Sequence, residues 1–146
     1  HPRKACRCSP EQVARYRGRL SGPLLDRIDL VMEVPVLAHE ELTSAAPAAS
    51  SAEVRARVVL ARATQAERQG MVNARLDSRA VERYCVPDRA GAGLLQQAMT
   101  RLELSARAYH RILRVARTLA DMAGVAQPGM AQVAEAIQYR RSLDGR

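Results

Sequence analysis

The stretch from Ser105 to Gly124, Ser-Ala-Arg-Ala-Tyr-His-Arg-Ile-Leu-Arg-Val-Ala-Arg-Thr-Leu-Ala-Asp-Met-Ala-Gly, is the best-defined element of the sequence. Ser105 is a favoured N-cap residue, and Gly124 is a favoured residue just past a helix end. The apolar residues between them recur at helical spacing and lie on one face: Tyr109, Ile112, Leu113, Ala116, Leu119, Ala120 and Ala123. The stretch therefore predicts an amphipathic helix that buries this face in a core.

Three arginines of this helix, Arg107, Arg111 and Arg114, cluster on the opposite face. For Arg111 and Arg114, a solvated face is the simpler interpretation. Arg107 falls in the first turn, where the helix dipole and the unpaired N–H groups favour an anion. A cation there costs roughly 0.3–1 kcal/mol unless a negative group is near, so the position favours an anionic ligand beside Arg107.

Helix starts and stops follow one another from about Ser50 to the end of the chain. Ser50 and Glu53 form a capping box for a helix to about Gln69, with Gly70 as its stop. The later helices are predicted over these ranges: from Asp77 or Ser78 through Cys85, from Pro87 and Asp88 through Leu102, and from Met130 to about Arg141. Arg140 and Arg141 are expected at the exposed end of the last helix.

The N-terminal part carries the stretch Ser21-Gly-Pro-Leu-Leu-Asp-Arg-Ile-Asp-Leu30, in which Arg27 stands between two aspartates. A Gly-Pro turn, a polar segment and an apolar run predict a loop that leads into a strand over residues 28–34. An arginine at such a junction is well placed to point outward at an anion. A short helix that begins at Pro10 precedes this stretch, and residues 1–9 are expected to be frayed.

Composition limits the classes of protein to which the chain can belong. Its 146 residues allow one domain, or a small domain with an attached fragment, and a hydrophobic content of 47% without Phe or Trp favours helices. The net charge of +8 suggests an anionic partner, although arginines on ordinary solvated faces also account for it. With no run of 18 apolar residues, no signal-peptide pattern and three cysteines, the expected location is the cytoplasm, away from membranes.

The motifs that hold nucleotide phosphates are missing from this sequence. A Walker A motif needs Gly-x-x-x-x-Gly-Lys-Ser/Thr, yet Lys4 is the only lysine and no glycine precedes it. No apolar strand that ends in paired acids supplies a Walker B motif. We therefore expect that this chain alone neither hydrolyses ATP nor binds it tightly.

The stretch from Ser21 to Leu30 closely resembles the arginine-finger region of AAA+ ATPases of the magnesium-chelatase and MCM branch. It looks most like the ComM (YifB) group, the Mg-chelatase-like proteins of bacteria. The stretch from Ser105 to Asp121 resembles the sensor 2 helix of the same branch. The resemblance implies that Arg27 is an arginine finger acting in trans on a neighbouring subunit's nucleotide, and that Arg107 is the sensor 2 arginine that contacts the γ-phosphate in cis.

The same resemblance implies a mainly α fold, an AAA+ C-terminal helical lid bundle preceded by the last helix and strand of an αβ ATPase core. Residues 1–42 would be the C-terminal end of that core, with the arginine-finger region. Residues 43–51, which are low in complexity, would be a linker. Residues 52–146 would be a lid domain of the Mg-chelatase C-terminal type that carries sensor 2.

For the whole protein, the resemblance implies an ATP-driven motor that uses ATP and Mg²⁺. Identical subunits would form a ring, a hexamer, that acts on DNA in branch migration during natural transformation. One alternative is a motor subunit of a magnesium chelatase. Another is a basic helical module that binds DNA or protein without any enzymatic activity.

The pair Cys6 and Cys8 resembles the second half of a cysteine cluster found in the ComM group. Four thiolates in two close pairs would suit a structural zinc ion, but only two are present here. In this chain we expect free thiols and no metal, and a zinc site stays open for the intact protein. Cys85 is expected in the core.

Overall fold

The computed structural model describes residues 7–25, 27–32, 34–36, 39 and 48–141, and the regular structure within these ranges is helical. The N-terminal helices are α1, Pro10–Arg17, and α2, Gly22–Leu25. The later helices are α3, Ser51–Gln69; α4, Ser78–Tyr84; α5, Arg89–Arg101; α6, Ala106–Ala123; and α7, Met130–Arg141, with a 3₁₀ turn at Asn73–Arg75. The predicted helices therefore form within about one residue of their expected bounds.

Local capping explains where the later helices begin and end. The Ser50 side chain accepts a hydrogen bond from the Glu53 amide, and the Glu53 side chain accepts one from the Ser50 amide. Gly70 and Gly124 end α3 and α6 with φ angles of 75° and 67°, which glycine adopts without the steric cost that a side chain would bring. Ser51, the last residue of the predicted linker, is already the first residue of α3.

The strand predicted over residues 28–34 is not formed in the described part of that range. Residues 28–32 and 34 have no regular secondary structure. A strand needs a neighbouring strand to exchange its backbone hydrogen bonds, and the segment instead finds partners on a helix: the Val31 amide donates to the Tyr139 carbonyl at 3.0 Å. The Gly-Pro turn also differs from expectation, because Gly22–Leu25 forms the short helix α2.

The core of the later helices forms where α6 and α5 both pack against α7, while α3 and α4 pack on α6. Leu95, Ile112, Leu113 and Val133 are among the most deeply buried side chains. Cys85 is fully buried, as predicted, and burial raises the pKa of its thiol to about 11. No helix within the described ranges is long and apolar enough to cross a membrane.

Candidate functional site

Arg107 lies in the second position of α6, one residue after the first helical residue. Its helix is fixed there by the Ser105 hydroxyl, which accepts a hydrogen bond from the Ala108 amide at 3.1 Å. The Arg107 side chain is exposed, whereas Ala108, beside it in the chain, is only 1% exposed. The guanidinium group therefore projects to solvent from a helix whose other face is anchored in the core.

The charges along α6 run against the usual preference of a helix. Its first turn contains no acidic residue, and its last turn contains Asp121 but no basic residue. A helix dipole favours negative groups at the N-terminus and positive groups at the C-terminus. Asp121 is compensated by neighbouring arginines, as described below, while the first turn at Arg107 contains no acidic side chain to offset its positive charge.

Arg27 follows α2 and is also exposed. Its amide donates to the Leu24 carbonyl at 2.9 Å, which continues the turn after α2. Within the described ranges, neither Arg27 nor Arg107 takes part in an ion pair. Both arginines are therefore placed where a ligand could reach them.

The segment that follows Arg27 is attached to the helices that carry Arg107. Asp29 forms an ion pair with Arg111, one turn after Arg107 on α6, although the two residues are 82 positions apart. Arg140, on α7, donates a hydrogen bond to the Ile28 carbonyl at 2.6 Å. The fold thus brings the two stretches that resemble AAA+ motifs against each other.

These contacts correct three expectations about arginines. The Arg111 side chain is only 17% exposed, so it does not lie on a solvated face. Arg114 is half-buried and donates to the Leu76 carbonyl at 2.6 Å. Arg140 is only 6% exposed and donates to the Ile28 carbonyl, so it does not form an exposed helix end. A helical wheel shows which residues share a face, but it cannot show that another segment covers that face.

A buried polar cluster, which the sequence did not reveal, lies at the C-terminal end of α6. The Asp121 carboxylate, with no exposed side-chain surface, pairs with Arg68 at 2.5 Å and with Arg117 at 2.7 Å. The second carboxylate oxygen of Asp121 accepts a hydrogen bond from the Asn73 side chain at 2.8 Å. The backbone amide of Asn73 donates to the Gln65 side chain at 3.0 Å. The cluster therefore ties α3, the 3₁₀ turn and α6 together.

The charges of this cluster are mutually satisfied. Burial by itself would raise the pKa of the Asp121 carboxyl, but hydrogen bonds from Arg68, Asn73 and Arg117 outweigh burial and hold that pKa below its ordinary value. Arg117 also donates to the carbonyls of Val125 and Ala126, at 3.0 and 2.6 Å. Opposite charges at i and i+4 beside an apolar stripe, as in Arg117 and Asp121, were the available sequence signal. The cluster stabilises the fold and offers no free cation to a ligand.

The cysteine pair is only partly placed. Cys6 lies outside the described residues, and Cys8 is exposed. Within the described ranges, no group of three or more His, Cys, Asp or Glu side chains could hold a metal ion. A zinc site in the intact protein therefore stays a hypothesis from the sequence.

Comparison with known proteins identifies the family. The protein-family model described as "Magnesium chelatase, subunit ChlI C-terminal" matches residues 48–140. A second family model, described as "Magnesium chelatase, subunit ChlI", matches residues 1–42. The chain therefore belongs to the magnesium chelatase subunit ChlI family. The bundle of α3 to α7 is the helical C-terminal lid of a Mg-chelatase-like AAA+ protein, so the predicted fold class is confirmed apart from the strand.

Individual relatives narrow the resemblance within that family. Competence protein ComM of Haemophilus influenzae is 47% identical over 135 residues, which are 92% of this chain and 26% of ComM. The uncharacterized protein YifB of Salmonella typhimurium is 44% identical over 135 residues, or 92% of this chain and 27% of YifB. YifB of Escherichia coli is 42% identical over the same shares of the two chains. The chain spans about a quarter of the length of these relatives.

Proposed function

We propose that this chain delivers two arginines to the terminal phosphates of ATP in a Mg-chelatase-like motor. Arg27 would act as the arginine finger on the nucleotide of a neighbouring subunit, and Arg107 would act as sensor 2 on the nucleotide of its own subunit. The observation that carries the proposal is the contact of Asp29 with Arg111, because it joins the Arg27 segment to the helix of Arg107. Two motifs that are far apart in sequence are thus held together in one subunit, from which Arg27 would reach the neighbour's nucleotide and Arg107 its own.

The chemistry suited to these arginines is the stabilisation of charge during phosphoryl transfer. As the bond to the γ-phosphate breaks, negative charge spreads over its oxygens, and an exposed guanidinium can donate hydrogen bonds to them. At Arg107, the partial positive charge of the α6 N-terminus adds to that of the side chain. A phosphate would therefore relieve the unfavourable placement of a cation in the first turn.

The remaining parts of the ATP site would come from outside this chain. ATP would be held by a Walker A motif, which this sequence lacks. Bound Mg²⁺ would bridge the β- and γ-phosphate oxygens and neutralise charge that develops on them. We expect the chain alone to show no ATP turnover and no tight ATP binding in calorimetry.

Relatives suggest the setting in which the motor works. One relative is named as a competence protein. From the resemblance of both arginine motifs to AAA+ ATPases, we propose that the whole protein forms a ring of identical subunits, a hexamer, in the cytoplasm. The ring would act on DNA in branch migration during natural transformation. The alternatives remain a chelatase motor subunit and a basic module that binds DNA or protein without ATP chemistry.

The decisive experiment changes Arg27 and Arg107 in the intact protein that contains this chain. Arg27→Ala is expected to lower ATP turnover by about 10³–10⁵, the range for an arginine finger, while ATP binding stays nearly unchanged. Arg107→Ala is expected to lower turnover and also ATP affinity, because it would act within its own subunit. Steady-state turnover and calorimetric titration with ATP measure the two effects.

Arg79→Ala is the matched control for Arg107→Ala. Arg79 is exposed and occupies the second position of α4, after the N-cap Asp77, just as Arg107 does in α6 after Ser105. The control is expected to leave turnover unchanged. Turnover that is unaffected by Arg27→Ala would disprove the arginine-finger role.

Mixed rings test which subunit each arginine serves. Subunits with Arg27→Ala, mixed with subunits whose Walker A motif is inactivated, should recover part of the activity because complete sites re-form at some interfaces. Arg107→Ala subunits should show no such recovery if Arg107 serves its own nucleotide. Recovery with Arg107→Ala would reassign Arg107 to the neighbour's nucleotide.

The basic-module alternative predicts a different pattern. Arg79→Ala and Arg107→Ala would then weaken DNA binding alike, and each would reduce the slope of log K against log salt by about one unit. ATP turnover would be absent from the intact protein, or insensitive to Arg27. Fluorescence anisotropy with labelled DNA over a salt series separates this outcome from the motor.

A further inference from the structure

Three contacts attach residues 28–31 to the lid helices. The Asp29 carboxylate pairs with Arg111 of α6, and Arg140 of α7 donates to the Ile28 carbonyl at 2.6 Å. The Val31 amide donates to the Tyr139 carbonyl at 3.0 Å, near the end of α7, where a helix has carbonyls without partners of its own. The segment directly after Arg27 is therefore held by both helices.

The arginines that make these contacts are unusually buried for cations. Arg140 is 6% exposed, and the Arg111 side chain is 17% exposed. Among the residues that the structure describes, the buried Nε atom of Arg111 has no hydrogen-bond partner, so the contacts of this side chain are made by its terminal nitrogens. What holds the Arg111 head group in this position is its ion pair with Asp29.

We propose that Arg111, Asp29 and Arg140 form a latch that positions Arg27 for its role in ATP turnover. The latch rests on the proposed function of Arg27 and adds that the lid helices set where this arginine stands. Arg27 is one residue before Ile28 and two before Asp29. Fixing those two residues therefore limits the movement of the Arg27 backbone to a few ångströms.

The latch also links the two arginines mechanically. Arg107 and Arg111 are one turn apart on the same face of α6, which behaves as a rigid rod over that distance. A shift of α6 when a phosphate binds at Arg107 would move Arg111, and through Asp29 it would move the Arg27 segment. Phosphate binding at one nucleotide site would thereby change the position of the arginine that serves the next site.

Hydrogen exchange on the chain itself tests whether the latch holds the segment. Arg111→Met and Asp29→Asn each are expected to speed exchange of the Val31 amide about two- to fivefold, as opening of the segment becomes easier. The double variant should show little further change, because both substitutions break one contact. Additive effects, or unchanged exchange, would overturn the latch.

Arg114→Met is the matched control on the same helix. Arg114 is half-buried like Arg111, and its buried Nε likewise has no partner among the described residues, but it donates to the Leu76 carbonyl inside the bundle. Its substitution is expected to leave Val31 exchange unchanged when α6 stays protected. Faster Val31 exchange in this control would show that the segment responds to general loosening of the lid, and the latch would be wrong.

Turnover by the intact protein tests whether the latch positions Arg27. Arg111→Met is expected to lower kcat for ATP about 10- to 100-fold, the loss typical of a misplaced catalytic group, with little change in KM. The charge swap Asp29→Arg with Arg111→Asp should recover a large part of that loss, whereas each half of the swap alone should not. A lid that merely unfolds would lose activity without rescue.

The outcomes distinguish failure of the latch from failure of the proposed function. If Arg27→Ala abolishes turnover but Arg111→Met changes neither turnover nor Val31 exchange, the arginine finger stands and the latch is wrong. If Arg27→Ala leaves turnover unchanged, the proposed role of Arg27 is wrong, and the latch as a positioning device for turnover is overturned with it.

Discussion

The described residues from 7 to 39, here the N-terminal segment, and residues 50–141, here the bundle, contain similar helix signals but differ in burial. Ser9 and Ser50 each form a complete capping box. Yet α1 buries no residue, whereas α6 buries Ala108, Ile112, Leu113 and Ala116 on one face. A capping box can start a helix in either region, but a core arises only where apolar spacing continues over several turns.

The same difference in burial distinguishes Arg27 from Arg107. Arg107 stands on the helix with the deepest packing, and its position follows from the core. Arg27 stands on a segment whose described residues are exposed or half-buried. Its position depends on a few polar contacts, so the two arginines should respond differently to changes elsewhere in the molecule.

The largest difference between the regions is expected for their acidic ion pairs. Asp121→Ala removes the partner of buried Arg117 and half-buried Arg68, which leaves buried charge uncompensated and should cost about 3–5 kcal/mol of unfolding free energy. Asp29→Ala removes a half-exposed partner and should cost no more than about 1 kcal/mol. Urea unfolding followed by circular dichroism measures both, and equal losses would contradict the contrast.

The lowered pKa of Asp121 predicts that the free energy of unfolding depends on pH. The pKa of Asp121 is held below its ordinary value in the folded chain, while in the unfolded chain it returns to about 3.9. Its contribution to stability is therefore full above pH of about 4 and is lost as the pH falls through the lower, folded-state pKa. The stability gap between the unmodified chain and Asp121→Ala should be constant from about pH 8 to 5 and should shrink below about pH 4.

A matched pair of leucines gives the next largest effect. Leu113 in the bundle is 2% exposed, and Leu30 in the N-terminal segment is 49% exposed. Leu113→Ala leaves a cavity in the core and should cost about 2–5 kcal/mol, whereas Leu30→Ala should change stability by about 0.5 kcal/mol at most. Urea midpoints of the two variants test this, and a large loss for Leu30→Ala would place that residue in the cooperative unit.

The sequence predicted the helices well because their signals are local. Ser50, Asp77, Asp88 and Ser105 each cap the expected helix, because a short polar side chain needs to reach an amide only three residues away. The strand over residues 28–34 depended on partners elsewhere in the chain. Within the described ranges no strand forms, and the Val31 amide instead donates to the Tyr139 carbonyl near the end of α7, while the Ile28 carbonyl accepts from the Arg140 side chain.

The candidate site was only partly predictable for the same reason. The exposure of Arg27 and Arg107 agrees with their expected positions, and their roles stay predictions. The burial of Arg111 under Asp29 could not be predicted, because the pair joins residues 82 positions apart. The cluster around Asp121 likewise depends on Arg68, 53 positions earlier, which no local pattern connects to it.

The smallest effect is expected for two N-cap serines, and it tests whether α1 shares the stability of the bundle. The Ser105 hydroxyl caps α6 at 3.1 Å from the Ala108 amide, and the Ser9 hydroxyl caps α1 at 3.3 Å from the Gln12 amide. Ser105→Ala should lower the unfolding free energy by about 1 kcal/mol, because α6 cannot fray without exposing the core. Ser9→Ala should leave the urea midpoint unchanged, since α1 buries nothing and can fray while the bundle stays folded. Ser9→Ala is expected only to reduce slightly the helical circular dichroism signal at zero urea.

Equal midpoint shifts for the two variants would show that α1 unfolds together with the bundle, and the contrast between the regions would then be wrong.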